Sequence, residues 1–243
     1  LKKIFSNDLS LELLIWDNSK IFSNYEEYLN LLNYKFPIKK VHSNTNLGYG
    51  LGHNSNLLNI KPNAETIFVA LNPDIYFDGN DIFGFIKYCL ENNNFACAAP
   101  LIYLPNGDIQ YSAKKNPTTL SLLIGRFSML QKMKYLKNYL FKNQNRSRNY
   151  IDEIIEAPFL SGCFLVFPSE IFHRIKGFSE EYFLHFEDAD IVRRASNLGR
   201  TIHCPFGFVT HIRGRGSHKS IFQQFHLVIS YFKYSKIWGL RLI

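Results

Sequence analysis

Acidic residues occur at two places far apart along the chain, and at each place a strand or a helix would present them to a ligand. The first is Asp74, which follows the apolar run Ile67–Leu71 and the pair Asn72-Pro73. Because proline cannot continue a central strand, Asp74 is predicted to lie just past a strand's carboxyl end. A carboxylate held there suits Mg²⁺ or Mn²⁺ shared with a diphosphate group. An isolated Asn-Pro-Asp segment is more often a simple turn, so this interpretation needs support from other residues.

The second group is Glu187, Asp188 and Asp190, which follows the aromatic-rich run 182–186 and opens a predicted helix over 189–197. Carboxylates at a helix N-terminus stabilise the helix through its dipole, and that structural role explains them as well as a functional role does. Behind aromatic side chains, however, one carboxylate is expected to be partly buried, with the raised pKa that a general base requires. We predict that Asp74 and Asp188 line one cleft, where one binds a cation and the other faces an alcohol.

A third candidate is the basic, glycine-containing segment 209–217, which is predicted to be a loop carrying His211, Arg213 and Arg215. Arginine binds phosphate through paired hydrogen bonds, and histidine can ligate a metal ion. An isolated histidine is more often structural, but phosphate-binding neighbours favour a functional role for His211.

The segment 44–54 is rich in asparagine and glycine and is predicted to be a loop as far as Gly52, followed by a helix to Asn59. Its glycines are spaced by two residues, which excludes a dinucleotide fingerprint and a Walker loop. Glycine lets a ligand approach the backbone closely, and the amides of Asn46 and Asn54 suit the hydroxyls of a sugar or a nucleotide. A glycine-rich turn that starts a helix is an equally good explanation of this segment.

The elements that must position these residues are predicted from apolar runs and capping signals. Strands are predicted at 11–16, 67–71, 95–99 and 164–167, and helices at 23–33, 83–90, 169–177 and 189–197. This alternation predicts an α/β domain with a mostly parallel sheet whose ligands bind at the carboxyl ends of the strands. Asp17, which follows the first run, would lie there together with Asp74.

Two segments are basic and apolar. Residues 126–150 hold several Lys and Arg and no acidic residue, with apolar residues at helical spacing, which predicts a basic amphipathic helical insertion near 121–150. Residues 222–243 mix aromatic residues with Lys233, Lys236 and Arg241, which suits a helix that lies on a membrane surface or folds back on the domain. We therefore divide the chain into a domain over 1–220 and a C-terminal helix over 221–243.

The composition limits the possible classes of protein. The chain has 243 residues, of which 46% are hydrophobic and 20% are charged, which excludes a disordered or low-complexity chain. The 28 Lys and Arg against 20 Asp and Glu give a net charge of +8, which favours anionic partners. The four cysteines form no C-x-x-C pair and are predicted to be reduced, buried thiols of a cytosolic protein. No stretch of sequence is long and apolar enough for a membrane span.

Taken in order, these motifs resemble glycosyltransferase family 2, and the nearest branch is the bacterial rhamnosyltransferases of O-antigen and capsule assembly. The resemblance extends over residues 11–217, and the aromatic run before Glu187-Asp188 is its most specific part. The motifs that carry it are Asp17-Asn18-Ser19, Asn46-x-Gly48, Asn72-Pro73-Asp74, Ser161-Gly162-Cys163-Phe164, the stretch 177–190 and His211.

The resemblance implies a GT-A-type fold, in which a Rossmann-like sheet flanked by helices binds a nucleotide sugar, and an inverting sugar transfer. Asp74 stands at the last position of the family's metal-binding Asp-x-Asp motif, here Asn-Pro-Asp, and would bind Mg²⁺ or Mn²⁺ with His211. Asp188 would be the catalytic base that removes the proton of the acceptor hydroxyl. The residues implied in substrate binding, with Asp17 holding the nucleoside, are Asp17, Asn46, Gly48, Asn72, Gly162, Glu187 and Arg213.

The resemblance also implies a dTDP- or UDP-linked donor, with rhamnose as the sugar of the nearest branch, and a glycan or lipid-linked acceptor in bacterial surface glycan synthesis. The protein would act in the cytoplasm, in peripheral contact with the inner face of the plasma membrane and without a nucleic-acid partner. The family normally begins with a strand and a Thr-Tyr-Asn-like loop, which nothing before Leu11 supplies. We expect that the sequence given omits this strand, because a sheet that lacked it would leave backbone groups unpaired; a chain with an incomplete sheet is the alternative.

Two other functions stay open at this stage. One is a non-enzymatic, basic and aromatic module that binds nucleic acid or a membrane and whose carboxylates are structural. No recognised nucleic-acid motif is present, and the acidic residues cluster where such a binder would avoid them. The other is a sugar-nucleotide hydrolase or degenerate transferase, which differs from a transferase only in whether an acceptor is used.

Overall fold

The computed structural model describes residues 10–18, 37–92, 94–212 and 221–243. Within these ranges the chain forms ten strands and eight helices. The predicted helix over 23–33, together with Arg213 and Arg215, lies outside the described residues.

The elements follow one another in a mixed order of strands and helices. The strands are β1 (Leu13–Asp17), β2 (Ile38–His42), β3 (Ile67–Leu71), β4 (Ile75–Tyr76), β5 (Phe95–Tyr103), β6 (Ala113–Lys114), β7 (Ile155–Glu156), β8 (Phe159–Leu160), β9 (Phe164–Pro168) and β10 (Arg200–His211). The helices are α1 (Tyr49–Leu57), α2 (Gly79–Glu91), α3 (Thr119–Arg126), α4 (Ser128–Gln131), α5 (Lys134–Asn143), α6 (Ser169–Arg174), α7 (Glu187–Ser196) and α8 (Ile221–Trp238).

The main sheet has the strand order β3-β9-β5-β10-β4, with β7 paired to β10. β5 and β10 are parallel, whereas β9 is antiparallel to both of its neighbours and β4 and β7 are antiparallel to β10. β1 and β2 form a separate parallel pair. The sheet is therefore mixed rather than mostly parallel, which corrects the prediction. A short apolar run marks a buried strand but does not encode its direction.

β5 is longer than the sequence predicted. β5 was expected to end before Pro100 but continues through it, because the ladder between β5 and β10 shifts register at this point, between the pairs Cys204–Pro100 and Phe208–Leu101. Pro100 has no N–H to donate to the ladder, and it lies where the pairing of the two strands is interrupted. β10 was not predicted, and His211 is its last residue rather than part of a loop.

The sheet is covered on both faces. Alternate side chains of β9 point to opposite sides, as the pleat requires. Phe164 and Val166 belong to the cluster that includes Phe85 of α2, whereas Leu165 and Phe167 belong to the cluster with α6 and α7. The four cysteines are free and buried, as predicted.

The predicted basic insertion is helical but broken into α3, α4 and α5. Phe127 and Met133, which precede α4 and α5, have extended backbone conformations that interrupt the helix. Apolar periodicity does not reveal where an individual residue departs from helical backbone angles. The sequence therefore did not predict these breaks. Met129, Met133 and Tyr135 are largely exposed.

α8 packs back on the domain. Trp238 Nε1 donates to Asp190 Oδ1 of α7 at 2.9 Å, and Ser230 Oγ donates to the carbonyl of Leu184 at 2.8 Å. Beyond the helix, the N–H of Thr119 donates to the carbonyl of Arg241 at 2.8 Å. None of the helices in the described ranges has both the length and the apolar character to cross a membrane.

Candidate active site

The glycine-rich segment forms the start of a helix rather than an open loop. α1 begins at Tyr49, so Gly50 and Gly52, which were predicted in a loop, are helical. Gly48 precedes the helix in the left-handed region, with φ of 83°, and a Cβ there would collide with the carbonyl oxygen of Phe183. Glycine is needed at this position because the two backbones touch.

The two asparagines predicted to face sugar or nucleotide hydroxyls make contacts within the protein. Asn46 Oδ1 accepts a hydrogen bond from the N–H of Gly48 at 2.8 Å. Asn54 is buried, and its amide both donates to the carbonyl of Phe178 and accepts from the N–H of Phe178, each at 2.8 Å. Asn54 therefore has a structural role, which corrects the prediction: it fastens α1 to the segment that leads into α7.

Tyr49, which the sequence analysis did not single out, stands among the acidic residues. Its hydroxyl donates to the carbonyl oxygen of Gly162 at 2.7 Å. Burial raises the pKa of Tyr49 well above 10, and the negative charges of nearby groups raise it further. Those groups, in order of effect, are Cys163, Glu187, Asp188 and Asp74. One tyrosine is therefore close to both acids that were predicted to share a cleft.

Asp188 is held by two backbone N–H groups. Its Oδ2 accepts from the N–H of Gly162 at 3.0 Å, and its Oδ1 accepts from that of Ala189 at 2.8 Å. Gly162 has no room for a side chain, because a Cβ would lie 2.7 Å from the Cβ of Asp188. Burial raises the pKa of Asp188, and the hydrogen bond from Gly162 and the positive charge of Lys114 counter part of this rise. A positioned carboxylate with a raised pKa is what a general base requires.

The two residues before this acid pair have a backbone conformation that is rare outside glycine. His185 and Phe186 have φ values of 69° and 67°. Phe186 directly precedes α7 as its N-cap residue, and its side chain makes no capping hydrogen bond. Each left-handed residue costs about 1–2 kcal/mol. The surrounding packing must outweigh this cost, and the turn directs Glu187 and Asp188 into the first turn of α7.

Glu187 is buried beside Asp188 and carries a proton at neutral pH. Burial, and to a lesser extent the charge of Asp188, raises the pKa of Glu187 to about 8. Its Oε2 is buried and has no hydrogen-bond partner among the described residues. Asp188, in contrast, receives two backbone N–H groups. These two hydrogen bonds favour the ionised form of Asp188 over that of Glu187.

Asp74 and His211, the two residues predicted to bind a metal, are neighbours. Asp74 follows β3, as predicted, and precedes β4, which the sequence did not predict. His211 Nε2 lies 3.4 Å from Asp74 Oδ2. The pairing of β4 with β10 brings the two together, since His211 is opposite Ile75 in that ladder.

Gln110, which no sequence signal marked, links His211 to the other half of the site. The side chain is buried, with Oε1 2.9 Å from His211 Nδ1 and Nε2 3.6 Å from Cys163 Sγ. Because the amide nitrogen faces the sulfur, the oxygen accepts from His211 Nδ1–H. Nε2 is then the ring nitrogen that faces Asp74.

The short segment Gly162–Cys163 separates the two acids. On one side, Gly162 binds the carboxylate of Asp188; on the other, the carbonyl of Cys163 accepts from the N–H of Asn72 at 2.9 Å, two residues before Asp74. The structure therefore brings together predicted and unpredicted residues. They are Asp74, His211, Gly162, Glu187 and Asp188, with Tyr49, Gln110 and Cys163 added by the fold.

The donor set of Asp74 and His211 fits a divalent cation. A carboxylate oxygen and an imidazole nitrogen are suitable ligands for Mn²⁺, and the carboxylate also suits Mg²⁺. In the part of the chain that the structure describes, no group of three or more His, Cys, Asp or Glu side chains is arranged to hold a metal ion. Two described protein ligands leave coordination positions that phosphate oxygens of a ligand would fill.

Asp17 is buried at the end of β1. Its Oδ2 lies 3.4 Å from His42 Nδ1 and 3.9 Å from Lys40 Nζ, both on β2. The next residue, Asn18, donates from Nδ2 to the carbonyl of Gly48 at 3.2 Å. The end of β1 is therefore fastened to the start of α1, where Tyr49 enters the acidic cluster.

The remaining predicted residues are Asp190, Arg213 and the other residues implied in substrate binding. Asp190 is structural: it is 2% exposed, forms an ion pair with Arg194 at 2.8 Å and accepts from Trp238. Arg213 lies outside the described residues. Binding of substrate by Asp17, Asn46, Gly48, Asn72, Gly162, Glu187 and Arg213 stays a prediction.

No protein-family model matches the chain. Two curated relatives are similar to it. Rhamnosyltransferase WbbL from Escherichia coli (strain K12) is 26% identical over 163 residues, which are 64% of this chain and 57% of WbbL. N-acetylglucosaminyl-diphospho-decaprenol L-rhamnosyltransferase from Mycobacterium tuberculosis is 24% identical over 185 residues, which are 72% of this chain and 58% of that protein. The chain thus spans a little over half the length of these relatives. They confirm the predicted resemblance to bacterial rhamnosyltransferases.

Two solved structures share the fold. GalNAc-T7 with UDP, GalNAc and Mn²⁺ superposes with a TM-score of 0.65 at 16% identity, over 93% of this chain and 42% of that chain. The mannosyltransferase PcManGT from Pyrobaculum calidifontis, in complex with GDP-Man and Mn²⁺, gives a TM-score of 0.57 at 15% identity, over 93% of this chain and 55% of that chain. They confirm the predicted GT-A-type α/β fold.

Proposed function

We propose that this protein is an inverting glycosyltransferase that moves a sugar from a nucleotide-diphosphate donor to an acceptor hydroxyl with the aid of a divalent cation. The observation that carries the proposal is the position of Asp74 and Asp188 on the two sides of Gly162–Cys163. One acid adjoins an imidazole, and the other is held by two backbone N–H groups beside the buried Glu187. The similarity to sugar transferases, in sequence and in fold, supports it.

Asp188 is the proposed catalytic base. An acceptor hydroxyl that hydrogen-bonds to its carboxylate gives up its proton to Asp188 as the hydroxyl oxygen attacks the anomeric carbon. The bond between that carbon and the donor's diphosphate oxygen breaks on the opposite face, so the configuration inverts. The N–H groups of Gly162 and Ala189 hold the carboxylate in place. Protonated Glu187 limits the charge of the acid pair to one.

Asp74 and His211 are the proposed ligands of Mg²⁺ or Mn²⁺. When bound, the cation would stabilise the negative charge that develops on the leaving diphosphate. Gln110 holds the imidazole so that its Nε2 faces Asp74. Asp17, at the buried end of β1, is the proposed contact of the nucleoside, with Asn46 and Gly48 in the adjoining turn.

For the substrates, we propose a dTDP- or UDP-linked donor, with rhamnose as the sugar, and a lipid-linked acceptor in bacterial O-antigen or capsule assembly. The choice of rhamnose and of a lipid-linked acceptor rests on the curated relatives, which are named rhamnosyltransferases, one of them N-acetylglucosaminyl-diphospho-decaprenol L-rhamnosyltransferase.

We further propose that the protein contacts the inner face of an anionic membrane through α8 and the basic helices α3–α5. Four apolar side chains on one face of α8, each more than half exposed, are Ile221, Phe225, Val228 and Phe232. The opposite face, with Ser230 and Tyr234, is buried. The segments 109–151 and 221–243 contain many Lys and Arg and no Asp or Glu, so their charge complements an anionic lipid surface.

The test is a panel of nucleotide sugars, including dTDP-rhamnose, UDP-linked sugars and GDP-mannose, in a thermal-unfolding assay with and without Mn²⁺. We expect one donor to raise the unfolding midpoint, and to do so only with the cation present, because a ligand stabilises the state that binds it. Product analysis with a lipid-diphosphate sugar then detects transfer. Release of free sugar without an acceptor product would identify a hydrolase. Salt-sensitive oligonucleotide binding with no response to any nucleotide sugar would contradict the proposal.

A further inference from the structure

A cavity of about 350 Å³ lies between α5 and the residues that follow α8. Its walls include Lys115, which follows β6, Lys142 in the last turn of α5, and Arg241. This volume is in the range of small-molecule sites. None of the acidic residues of the candidate active site lines it.

Three basic residues line the cavity, and no Asp or Glu is among its lining residues. All of the lining residues come from 109–151 and 221–243, the segments without Asp or Glu. Among the described residues, no carboxylate forms an ion pair with Lys115, Lys142 or Arg241. Like charges held close together repel one another, and a bound anion would remove that repulsion.

Hydrogen bonds hold the walls of the cavity in place. The N–H of Lys115 donates to the carbonyl of Asn143 at 2.9 Å, and that of Thr119 donates to the carbonyl of Arg241 at 2.8 Å. Asn116 also lines the cavity, and its Oδ1 is buried without a hydrogen-bond partner among the described residues. This amide is available to a ligand hydroxyl or, turned over, to a phosphate oxygen.

One lining residue of the cavity, Lys115, is next in the chain to a lysine that acts on Asp188. Lys114 directly precedes Lys115, and its positive charge lowers the pKa of Asp188. Lys114 Nζ lies 5.4 Å from the centre of the Phe159 ring, on the neighbouring strand β8. Successive residues of an extended segment point to opposite sides, so Lys115 faces the cavity and Lys114 faces away from it. The residues next to Arg241 in the chain include the exposed apolar residues Leu240, Leu242 and Ile243.

We propose that this cavity binds the phosphate or diphosphate group of a membrane lipid. The identification of the lipid as an acceptor rests on the proposed function, whereas the chemistry of the cavity does not depend on that function. Two lipids supply such a group: a lipid-linked diphosphate acceptor and an anionic phospholipid. Three basic side chains match the charge of a diphosphate better than the single charge of a phosphodiester, so the structure favours the lipid diphosphate.

The test compares Lys142→Ala and Arg241→Ala with Lys137→Ala, a control on the same helix as Lys142 but outside the cavity. Farnesyl diphosphate and inorganic pyrophosphate are titrated calorimetrically, with EDTA present so that Asp74 and His211 hold no cation. We expect the dissociation constant to rise at least about tenfold in each cavity variant, because each loses a charge-assisted hydrogen bond. The control should bind like the unaltered protein, and all three thermal midpoints should stay unchanged because these side chains are exposed.

Vesicles separate the two sources of the phosphate group. Phosphatidylcholine vesicles with and without phosphatidylglycerol are tested for flotation with each variant. Loss of phosphatidylglycerol-dependent binding in the cavity variants, with no farnesyl diphosphate binding by any variant, would identify a phospholipid headgroup. Equal binding of every probe by the cavity variants and the control would overturn the proposal. These measurements need no sugar transfer, so a missing transferase activity would contradict the proposed function alone.

Discussion

The N–H of Gly162 donates a 3.0 Å hydrogen bond to the carboxylate of Asp188, and the two residues approach this closely because Gly162 has no side chain. The contact joins the loop before β9 to the first turn of α7. It orients the proposed base and counters part of the pKa rise that burial causes in Asp188.

Replacing Gly162 by Ala is expected to displace Asp188. The new Cβ would lie 2.7 Å from the Cβ of Asp188, which is too close for real atoms. We expect a loss of stability of about 1–3 kcal/mol from overpacking, measured by denaturant unfolding. The transfer rate should fall about a hundredfold through misplacement of the base. The control is Gly125→Ala, where nothing lies within 4 Å of the added Cβ. A full rate in Gly162→Ala would show that the contact does not position the base.

Two neighbouring acids should respond in opposite ways to amide substitution. Asp188→Asn removes the base and should abolish transfer, while donor binding measured by calorimetry stays near that of the unaltered protein. Asp190→Asn weakens the contacts with Arg194 and Trp238 and should lower the free energy of unfolding by about 1–3 kcal/mol, with transfer retained. Full turnover in Asp188→Asn would remove its assigned role.

Stability should fall with rising pH across the range in which Glu187 holds its proton only in the folded state. Burial raises the pKa of Glu187 from 4.5 to about 8, so between these values the folded protein binds one more proton from this group than the unfolded chain. The contribution of Glu187 to the free energy of unfolding is complete below pH 4.5 and is lost as the pH rises through about 8. Its slope is at most about 1.4 kcal/mol per pH unit.

Urea unfolding over this pH range, for the unaltered protein and for Glu187→Gln, measures the effect. Glutamine cannot ionise, so the curve for the variant should be flatter. Parallel curves would mean that Glu187 does not titrate within this window.

Gln110 is expected to act on metal binding through His211. Replacing it by Met, which has a similar length, removes the acceptor of His211 Nδ1–H and leaves the Asp74 and His211 side chains present. The affinity for Mn²⁺, titrated in the presence of UDP, should fall about 10–100-fold. Asp74→Ala should abolish binding, and Asp108→Asn, at an exposed turn, should leave it unchanged. An unaltered affinity in Gln110→Met would assign Gln110 a purely structural role.

Membrane contact through α8 predicts a loss of vesicle binding when its exposed apolar face is made polar. The double substitution of Phe225 and Phe232 by Ser should weaken binding to phosphatidylglycerol vesicles by about tenfold or more, because each aromatic side chain loses its burial in the lipid interface. Phe206→Ser, at a half-exposed site on β10, is the matched control. Equal sedimentation of the two variants with vesicles would contradict the proposed surface.

Local features of the site followed from the sequence. Asp74 lies just after β3 because proline ends the strand, and the acid pair opens α7 as the helix signals indicated. The order of these motifs also produced the resemblance that the curated relatives confirm. Each of these inferences needs only a few consecutive residues, whose backbone preferences act over one turn or one strand.

Contacts between distant parts of the chain did not follow from the sequence. Tyr49 enters the acidic cluster through a contact with Gly162, and Gln110 reaches both His211 and Cys163. No pattern around Tyr49 or Gln110 announces these partners, because a single polar residue in a turn or at a helix start has many possible neighbours.

Residue types and their order along the chain thus established which groups were available: acids at element ends, a histidine among basic residues, and two basic segments free of acids. Strand pairing and packing selected among their arrangements. The antiparallel pairing of β4 with β10 puts His211 next to Asp74, and the close fit of Gly162 against Asp188 puts the second acid across the same short segment. Burial then assigns the charge, because Glu187 loses its solvent and keeps its proton while two backbone N–H groups hold the ionised form of Asp188.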